Sequence, residues 1–121
     1  MVSGYVIQGG GYTADMAERS TRPPIQNEAT NGLSNRRGTL AMARTRQARS
    51  ATSQFYINLV DNSNLDFRGY APDEFGYAVF GRVLEGMDVV DRIGAVKVGS
   101  RDGHDTVPLT PVLIKGVSEK K

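Results

Sequence analysis

Short runs of apolar, β-preferring residues alternate with polar loops along this chain. Such runs are typical of strands, because Val, Ile, Tyr and Phe fit a pleated, half-buried surface. The last run would bring Val112 and Ile114 to one face of a strand. The pattern predicts strands at 5–8, 39–43, 54–60, 77–84 and 111–118.

One segment has the period of a helix. Apolar residues recur three positions apart near 86–94, with Asp88 in the first turn and Arg92 in the last. These two charges complement the helix dipole. Gly94 is expected to end the helix in the left-handed conformation that glycine adopts at little cost. The predicted apolar stripe consists of Met87, Val90 and Ile93.

Long polar stretches separate these elements. The first, 12–37, contains Pro23-Pro24 and Asn31-Gly32 and predicts a functional loop rather than regular structure. With 121 residues, 39% of them hydrophobic, the chain can bury a modest core. The pattern as a whole predicts one mainly antiparallel β domain over 1–121, with one helix and no repeats.

Composition excludes several kinds of chemistry. The chain has no Cys, which rules out disulfides and thiolate metal sites. No run approaches the roughly 18 apolar residues of a membrane span. The sequence shows no signal peptide, but a truncated start would make this uninformative, so the cytoplasm and the periplasm both stay open as locations. No acidic or histidine spacing suits calcium or zinc, and we predict no metal and no cofactor.

Positive charge is concentrated in one segment although the net charge is only +2. A solvated loop face is the main interpretation, and an anionic partner is the alternative. No aromatic residues lie between these arginines, which argues against single-stranded nucleic acid. The cluster consists of Arg36, Arg37, Arg44, Arg46 and Arg49.

Two further motifs favour ordinary loops. Gly9–Ala14 fits the dinucleotide pattern G-x-G-x-x-A, but only 15–21 remain for the helix that must hold a pyrophosphate. A flexible loop that faces a peptide is the better interpretation. His104 is the only histidine, and we expect it in an exposed loop rather than as a general base. No G-x-S-x-G elbow surrounds the serines near 50, which argues against a hydrolase.

Four blocks of the sequence together resemble one family. They are Tyr5-Val-Ile-Gln-Gly-Gly-Gly11, Gly38–Thr45, Ser50–Asn58 and Gly76–Met87. In this order they are similar to the cyclophilin-type peptidyl-prolyl cis-trans isomerases. The resemblance implies an eight-stranded antiparallel barrel with a peptide groove on its outer wall. It also implies rotation about X–Pro bonds, which needs no nucleophile or cofactor.

The resemblance assigns substrate-binding roles to nine residues. Gln8 and Gln54 match glutamines that hydrogen-bond the substrate backbone, since an amide both donates and accepts. Ala43 and Arg44 match a strand-end pair that contacts the residue before proline, mainly through its backbone. Phe55 is interpreted as barrel core. The walls of the proline pocket are matched by Tyr5, Val6, Tyr56, Leu65 and Tyr77.

Some positions depart from the family's pattern. Tyr5 and Tyr56 stand where Phe is usual, and Val6 where Met is usual, so the pocket is expected to be more polar and differently shaped. Asn64 takes the place of a large aromatic residue beside the groove. Weak binding of cyclosporin-like cyclic peptides is therefore expected. The pattern around Arg44 is that of bacterial members.

The resemblance also implies that part of the family's architecture lies upstream of this sequence. The catalytic arginine of the family comes just before the position of Met1, so no catalytic residue is assigned here. The first strands and the first helix are likewise upstream, which predicts an incomplete barrel. Its exposed strand edges favour association of copies. A truncated start is the preferred explanation, ahead of a completing partner chain or a rearranged fold.

Three functions remain as hypotheses. The leading one is a prolyl isomerase that assists folding by acting on proline-containing peptides and unfolded proteins. The alternative is a catalytically impaired, cyclophilin-like module that binds proline peptides. A third is a basic adaptor that acts through the arginine cluster, for which salt-sensitive binding would be the sign.

Overall fold

The computed structural model of the chain describes residues 1–119. Its α-helix, α1, is Met87–Gly94, and short 3-10 turns lie at Ala29–Asn31 and Ser63–Leu65. The strands are β1 (Val6–Gly9), β2 (Thr39–Met42), β3 (Phe55–Asn58), β4 (Val79–Arg82), β5 (Val98–Arg101) and β6 (His104–Pro108).

The first four strands form one antiparallel sheet in the order β1-β3-β2-β4. Tyr56 in the central strand β3 lies opposite Gln8 of β1 and opposite Ala41 of β2. The pairing of β2 with β4 shifts register between Leu40 and Ala41. Within the described residues the sheet is open at β1 and β4. The predicted mainly β, antiparallel architecture with one helix is confirmed, and the first four strand predictions agree with the structure to within two residues at each end.

The two faces of this sheet pack against two different apolar clusters. Successive side chains of a strand point to opposite faces, so Tyr56 and Ile57 belong to different clusters. Tyr56 packs with Val6 and Ala41 on one face, whereas Ile57 packs towards Ile7 and the helix on the other. Phe55 is half-buried and shares the face of Ile57. The sheet thereby separates the predicted pocket from the helix.

Helix α1 is held by packing. A helix of eight residues is too short to be stable alone in water. Val90 is buried against Ile7 and Leu59, and Met87 and Ile93 pack around them. The predicted apolar stripe is therefore confirmed, as are the charges in the first and last turns.

An ion pair fastens the helix to the loop before β2. Both guanidinium nitrogens of Arg37 reach the two carboxylate oxygens of Asp91, at 2.8 and 2.7 Å. The same side chain donates to the Leu59 carbonyl at 2.7 Å. Arg37 is thus a strap that joins the helix to the segment after β3.

Gly94 has a different role from the predicted one. It is the last residue of α1, and Ala95, with φ of −97°, follows it in a right-handed conformation. The prediction that Gly94 ends the helix in a left-handed conformation is therefore wrong. A Cβ at this position would lie 2.7 Å from Cδ1 of Leu59 and 3.6 Å from Cγ2 of Ile7. Glycine is required because the helix approaches the sheet closely here.

The end of the chain also differs from prediction. The predicted strand 111–118 is wrong, because this segment has no regular structure and its side chains are exposed. Strand formation needs a hydrogen-bonding partner, and within residues 1–119 none pairs with it. Ile114 nevertheless runs beside β1, since its Cδ1 lies 3.8 Å from where a Cβ on Gly9 would stand.

A hairpin of β5 and β6 precedes this segment and was not predicted. Asp102 and Gly103 form its turn, with φ of 49° and 79°, as a two-residue type I′ turn requires. His104 begins β6 instead of lying in a loop, although it is exposed as expected. Its ring contacts the edge of Tyr12, with centroids 4.9 Å apart.

The predicted long loop between β1 and β2 is confirmed. Apart from the 3-10 turn and one isolated bridge between Tyr12 and Glu18, it has no regular structure. No helix follows Gly11, which removes the basis for a dinucleotide site. Among residues 1–119, none of the helical segments has the length and apolar character needed to cross a bilayer.

Candidate functional site

The residues predicted to form the proline pocket meet in one cluster. Val6, Tyr56 and Leu65 are buried in it, together with Ala41 and Val79 from β2 and β4. Tyr5, Ala43 and Tyr77 are half-buried and pack against these residues. The cluster therefore has a buried floor and a partly exposed rim, drawn from five separate segments of the chain.

Aromatic rings shape the rim. The rings of Tyr56 and Tyr77 meet edge to face, with centroids 5.8 Å apart, an arrangement that their quadrupoles favour. The guanidinium carbon of Arg44 lies 4.9 Å from the centroid of Tyr77, within the range of a cation–π contact. Tyr77 is therefore held between a ring and a cation.

The two predicted glutamines lie together beside this cluster. Gln8 shares the face of Val6 and Tyr56 because it is two residues from Val6 and opposite Tyr56. Its Nε2 donates to Oε1 of Gln54 at 3.0 Å. This bond does not use the Gln54 amide nitrogen, a donor, or the Gln8 side-chain oxygen, an acceptor. An extended peptide backbone can pair with both kinds of group.

Glycines in the loop after β1 make room for Gln54. A Cβ on Gly11 would stand 2.6 Å from Cδ of Gln54. Gly10 has φ of 92°, and a Cβ there would stand 2.4 Å from the Ser53 carbonyl oxygen. The predicted peptide-facing glycine loop is thus packed against the segment that precedes β3.

Ala43 and Arg44 lie at the end of β2, as predicted. The Ala43 N–H donates to the Gln54 carbonyl at 3.0 Å, which ties the strand end to the glutamine. The Arg44 side chain turns away to donate to the carbonyls of Gly76 and Pro72, at 2.8 and 2.7 Å. Its side chain therefore supports the loop before β4.

Three buried asparagines beneath the cluster had no role in the sequence-based prediction. Asn35, Asn58 and Asn62 are 1%, 0% and 5% exposed. Asn58 donates through Nδ2 to Oδ1 of Asn35 at 3.1 Å and accepts from Asn62 at 2.8 Å. A signal was available, because Asn58 falls in phase with Tyr56 on the inward face of β3.

Tyr56 is bonded to this asparagine chain through its hydroxyl. The hydroxyl donates to Oδ1 of Asn35 at 2.6 Å. Burial raises the pKa of Tyr56, and the neighbouring Tyr77 and Tyr5 act in the same direction. The hydroxyl therefore stays protonated and donates. The extra polarity expected from Tyr56 is directed into the protein.

Two open cavities lie beside the predicted site residues only at Arg44. One of about 420 Å³ is lined by residues near Leu33 and β4, and another of about 400 Å³ lies beside Met42 and Phe80. Of the predicted site residues only Arg44 lines either of them.

Comparison with known proteins assigns the chain to a family. The family model described as "Cyclophilin type peptidyl-prolyl cis-trans isomerase/CLD" matches residues 1–119. The chain belongs to the cyclophilin family. The resemblance of the four sequence blocks is confirmed by this match.

Curated cyclophilins from bacteria are similar to the chain over most of its length. It is 56% identical over 115 residues to peptidyl-prolyl cis-trans isomerase cyp18 of Streptomyces antibioticus, covering 95% of this chain and 69% of that protein. It is 50% identical over 118 residues to peptidyl-prolyl cis-trans isomerase B of Escherichia coli (strain K12), covering 98% and 72%. An isomerase of Acinetobacter baylyi (strain ATCC 33305 / BD413 / ADP1) is 50% identical over 99% of this chain and 62% of that protein. The expected bacterial character is confirmed.

Proposed function

We propose that this cyclophilin is a peptidyl-prolyl cis-trans isomerase that acts on X–Pro bonds of extended peptides and unfolded chains. One observation carries the proposal. The predicted pocket walls and the two groove glutamines, which are far apart in sequence, meet on one face of the sheet in a chain that belongs to this family.

The reaction needs a grip on both sides of one bond. Rotation about an X–Pro amide has a barrier of roughly 18–20 kcal/mol, because resonance must be lost. The rim of Tyr5, Ala43 and Tyr77 over an apolar floor suits a proline ring. Gln8 and Gln54 supply an acceptor and a donor for the backbone beside it. An apolar floor also excludes water, and the twisted amide, with its charge separation lost, is favoured by this environment.

Catalysis beyond binding depends on a donor aimed at the prolyl nitrogen, which regains its lone pair in the twisted state. The family resemblance assigns this role to no residue of the given sequence. Arg44 is engaged by the carbonyls of Gly76 and Pro72, so we do not assign the role to it. Binding and rate acceleration are therefore separate predictions, and the test reports them separately.

The test is two-dimensional exchange NMR on an Ala-Pro peptide with this chain. We expect chemical-shift changes in the pocket and cis-trans exchange above the uncatalysed rate. Shift changes without faster exchange would leave only a peptide-binding module. No shift changes at millimolar peptide would overturn the proposed site.

A matched pair of variants locates the interaction. Gln54→Leu keeps the side-chain size but removes the donor beside the pocket, and we expect several-fold weaker peptide binding. Gln47→Leu makes the same change at an exposed position in the loop after β2 and should bind like the unchanged protein. Equal affinities for the two variants would contradict a role for Gln54.

A further inference from the structure

Asn35 lies where three walls of the predicted pocket come within reach of one side chain. Its Oδ1 accepts from the Tyr56 hydroxyl at 2.6 Å. Its Nδ2 donates to the carbonyls of Leu65 and Tyr77, at 3.2 and 3.3 Å. One amide thus joins β3, the 3-10 turn before position 66 and the segment leading into β4.

Asn35 is itself fixed from two directions. Oδ1 of Asp66 accepts from the Asn35 backbone N–H at 2.6 Å and lies 3.0 Å from Nδ2 of Asn35, so the two hydrogens of this amide are shared among Asp66 and the two carbonyls. Asn58 donates to its Oδ1, and Asn62 continues the chain by donating to the Tyr5 carbonyl at 3.1 Å. Tyr5, another predicted wall residue of the pocket, is therefore hydrogen-bonded to the same buried network.

We propose that Asn35 is a positioning residue of the proline pocket, which sets the distance between Tyr56, Leu65 and Tyr77 before a peptide arrives. The inference rests on the proposed function, since it concerns how that pocket binds. Asn35 is 1% exposed and acts through the residues it holds, without touching the peptide.

The physical reason is that two of the three walls come from irregular backbone. Leu65 ends a 3-10 turn, and Tyr77 precedes β4. The Tyr77 N–H donates to the Leu65 carbonyl at 3.0 Å, which sets their distance from each other but not from β3. Without the Asn35 amide, the Tyr77 carbonyl loses this donor and the Leu65 carbonyl keeps only the Tyr77 N–H, so neither segment is hydrogen-bonded to the side chain that holds Tyr56. A pocket that must be reassembled binds more weakly than one already formed.

The first test is Asn35→Ser, measured by NMR titration with an Ala-Pro peptide. We expect roughly tenfold weaker binding, which corresponds to about 1.4 kcal/mol. In the free variant, the Leu65 methyl and Tyr77 amide resonances should already be displaced. These shifts report the position of the walls without any peptide present.

Val90→Ala is the control for a loss of stability alone. Val90 is buried in the other cluster, between the helix and the sheet, and its truncation lowers the melting temperature without touching the pocket. At matched melting temperature, Val90→Ala should bind the peptide like the unchanged protein. If it binds as weakly as Asn35→Ser, the effect is general destabilisation and the inference is overturned.

Tyr56→Phe provides a milder variant should Asn35→Ser fail to fold. It removes only the hydroxyl that Asn35 holds, so binding should weaken in the same direction but less. If the variant that folds has the same Leu65 and Tyr77 resonances and the same peptide affinity as the unchanged protein, the inference is overturned while the proposed function stands. If the unchanged protein itself binds no Ala-Pro peptide, the proposed function and the inference both fall.

Discussion

Several side chains at this site take their positions because of residues that lie behind them. The Gln8–Gln54 pair can form because Gly11 has no side chain, since a Cβ there would stand 2.6 Å from Gln54. Tyr56 likewise has its place because Asn35 accepts its hydroxyl. The residues of the predicted pocket could be named from the sequence, because their blocks match a family. Their supports were not, because a buried asparagine has no local pattern.

Gly11→Ala should weaken peptide binding while the fold is retained. The new methyl group meets the flexible Gln54 side chain, which can move away but then loses its bond to Gln8. We expect a several-fold higher Kd for an Ala-Pro peptide, measured by titration. Gly81→Ala is the matched control, because a Cβ there meets nothing within 4 Å. An unchanged Kd for Gly11→Ala would mean that Gln54 does not need its present position.

Elements of this fold are specified by partners as well as by their own sequences. β2, β3 and the helix were predicted within two residues at each end, because their apolar periods are visible locally. The strand predicted at 111–118 failed since a strand also needs a neighbour. The β5–β6 hairpin was missed because most of its residues are exposed, which leaves no alternation to detect. Its Asp102-Gly103 turn was the one available signal.

Gly94→Ala should destabilise the protein although alanine favours helices. Alanine improves helix propensity by up to about 1 kcal/mol, but its methyl group would overlap Leu59, and overpacking costs about 1–3 kcal/mol. We expect a net loss of about 1–2 kcal/mol in urea unfolding. Val89→Ala, at an exposed position of α1, should show the propensity gain alone. A stabilised Gly94→Ala would show that the helix can move off the sheet freely.

The Arg37–Asp91 strap should make helix docking sensitive to acid. The hydrogen bonds from Arg37 hold the pKa of Asp91 below its ordinary value. A lowered carboxyl pKa contributes stability that is present above the unfolded value of about 4 and is lost as pH falls through the folded value. Urea midpoints measured between about pH 2 and 6 should therefore fall more steeply for the unchanged protein than for Asp91→Asn.

Asp88→Asn is the control for this titration. It makes the same charge change in the first turn of α1, and Asp88 has no side-chain hydrogen bond in the described part of the chain. Comparison with this variant separates the loss of the ion pair from the loss of a negative charge in α1. Identical profiles for all three proteins would show that the strap contributes nothing measurable, as exposed ion pairs often do.

As a whole, the described chain buries two small clusters and leaves much apolar surface open. Phe80 on the edge strand β4 is 56% exposed, whereas Ile114, which lies beside the opposite edge strand β1, is 57% exposed. An open strand edge with apolar neighbours is a template for pairing with another chain. We therefore propose that copies of this chain associate through β4.

Phe80→Glu should lower this association. A charge on the open strand disfavours edge pairing, so the weight-average sedimentation coefficient should rise less with concentration than for the unchanged protein. Tyr70→Glu removes an aromatic ring that is 80% exposed in a loop and should leave the association as it was. A concentration-independent coefficient for the unchanged protein would rule out association through this edge.

Because the two faces of the sheet pack against different clusters, insertions and deletions within its strands should be poorly tolerated. Tyr56 and Ile57 are neighbours in β3, yet one belongs to the pocket and the other to the helix-facing core. Deleting a single codon within β3 would exchange these assignments and place Ile57 among the pocket residues and a tyrosine beneath the helix. Insertions and deletions should therefore be tolerated in the loop between β1 and β2 and purged from the strands. Substitutions at position 56 should be limited by packing in the predicted pocket, and substitutions at position 57 by packing against the helix.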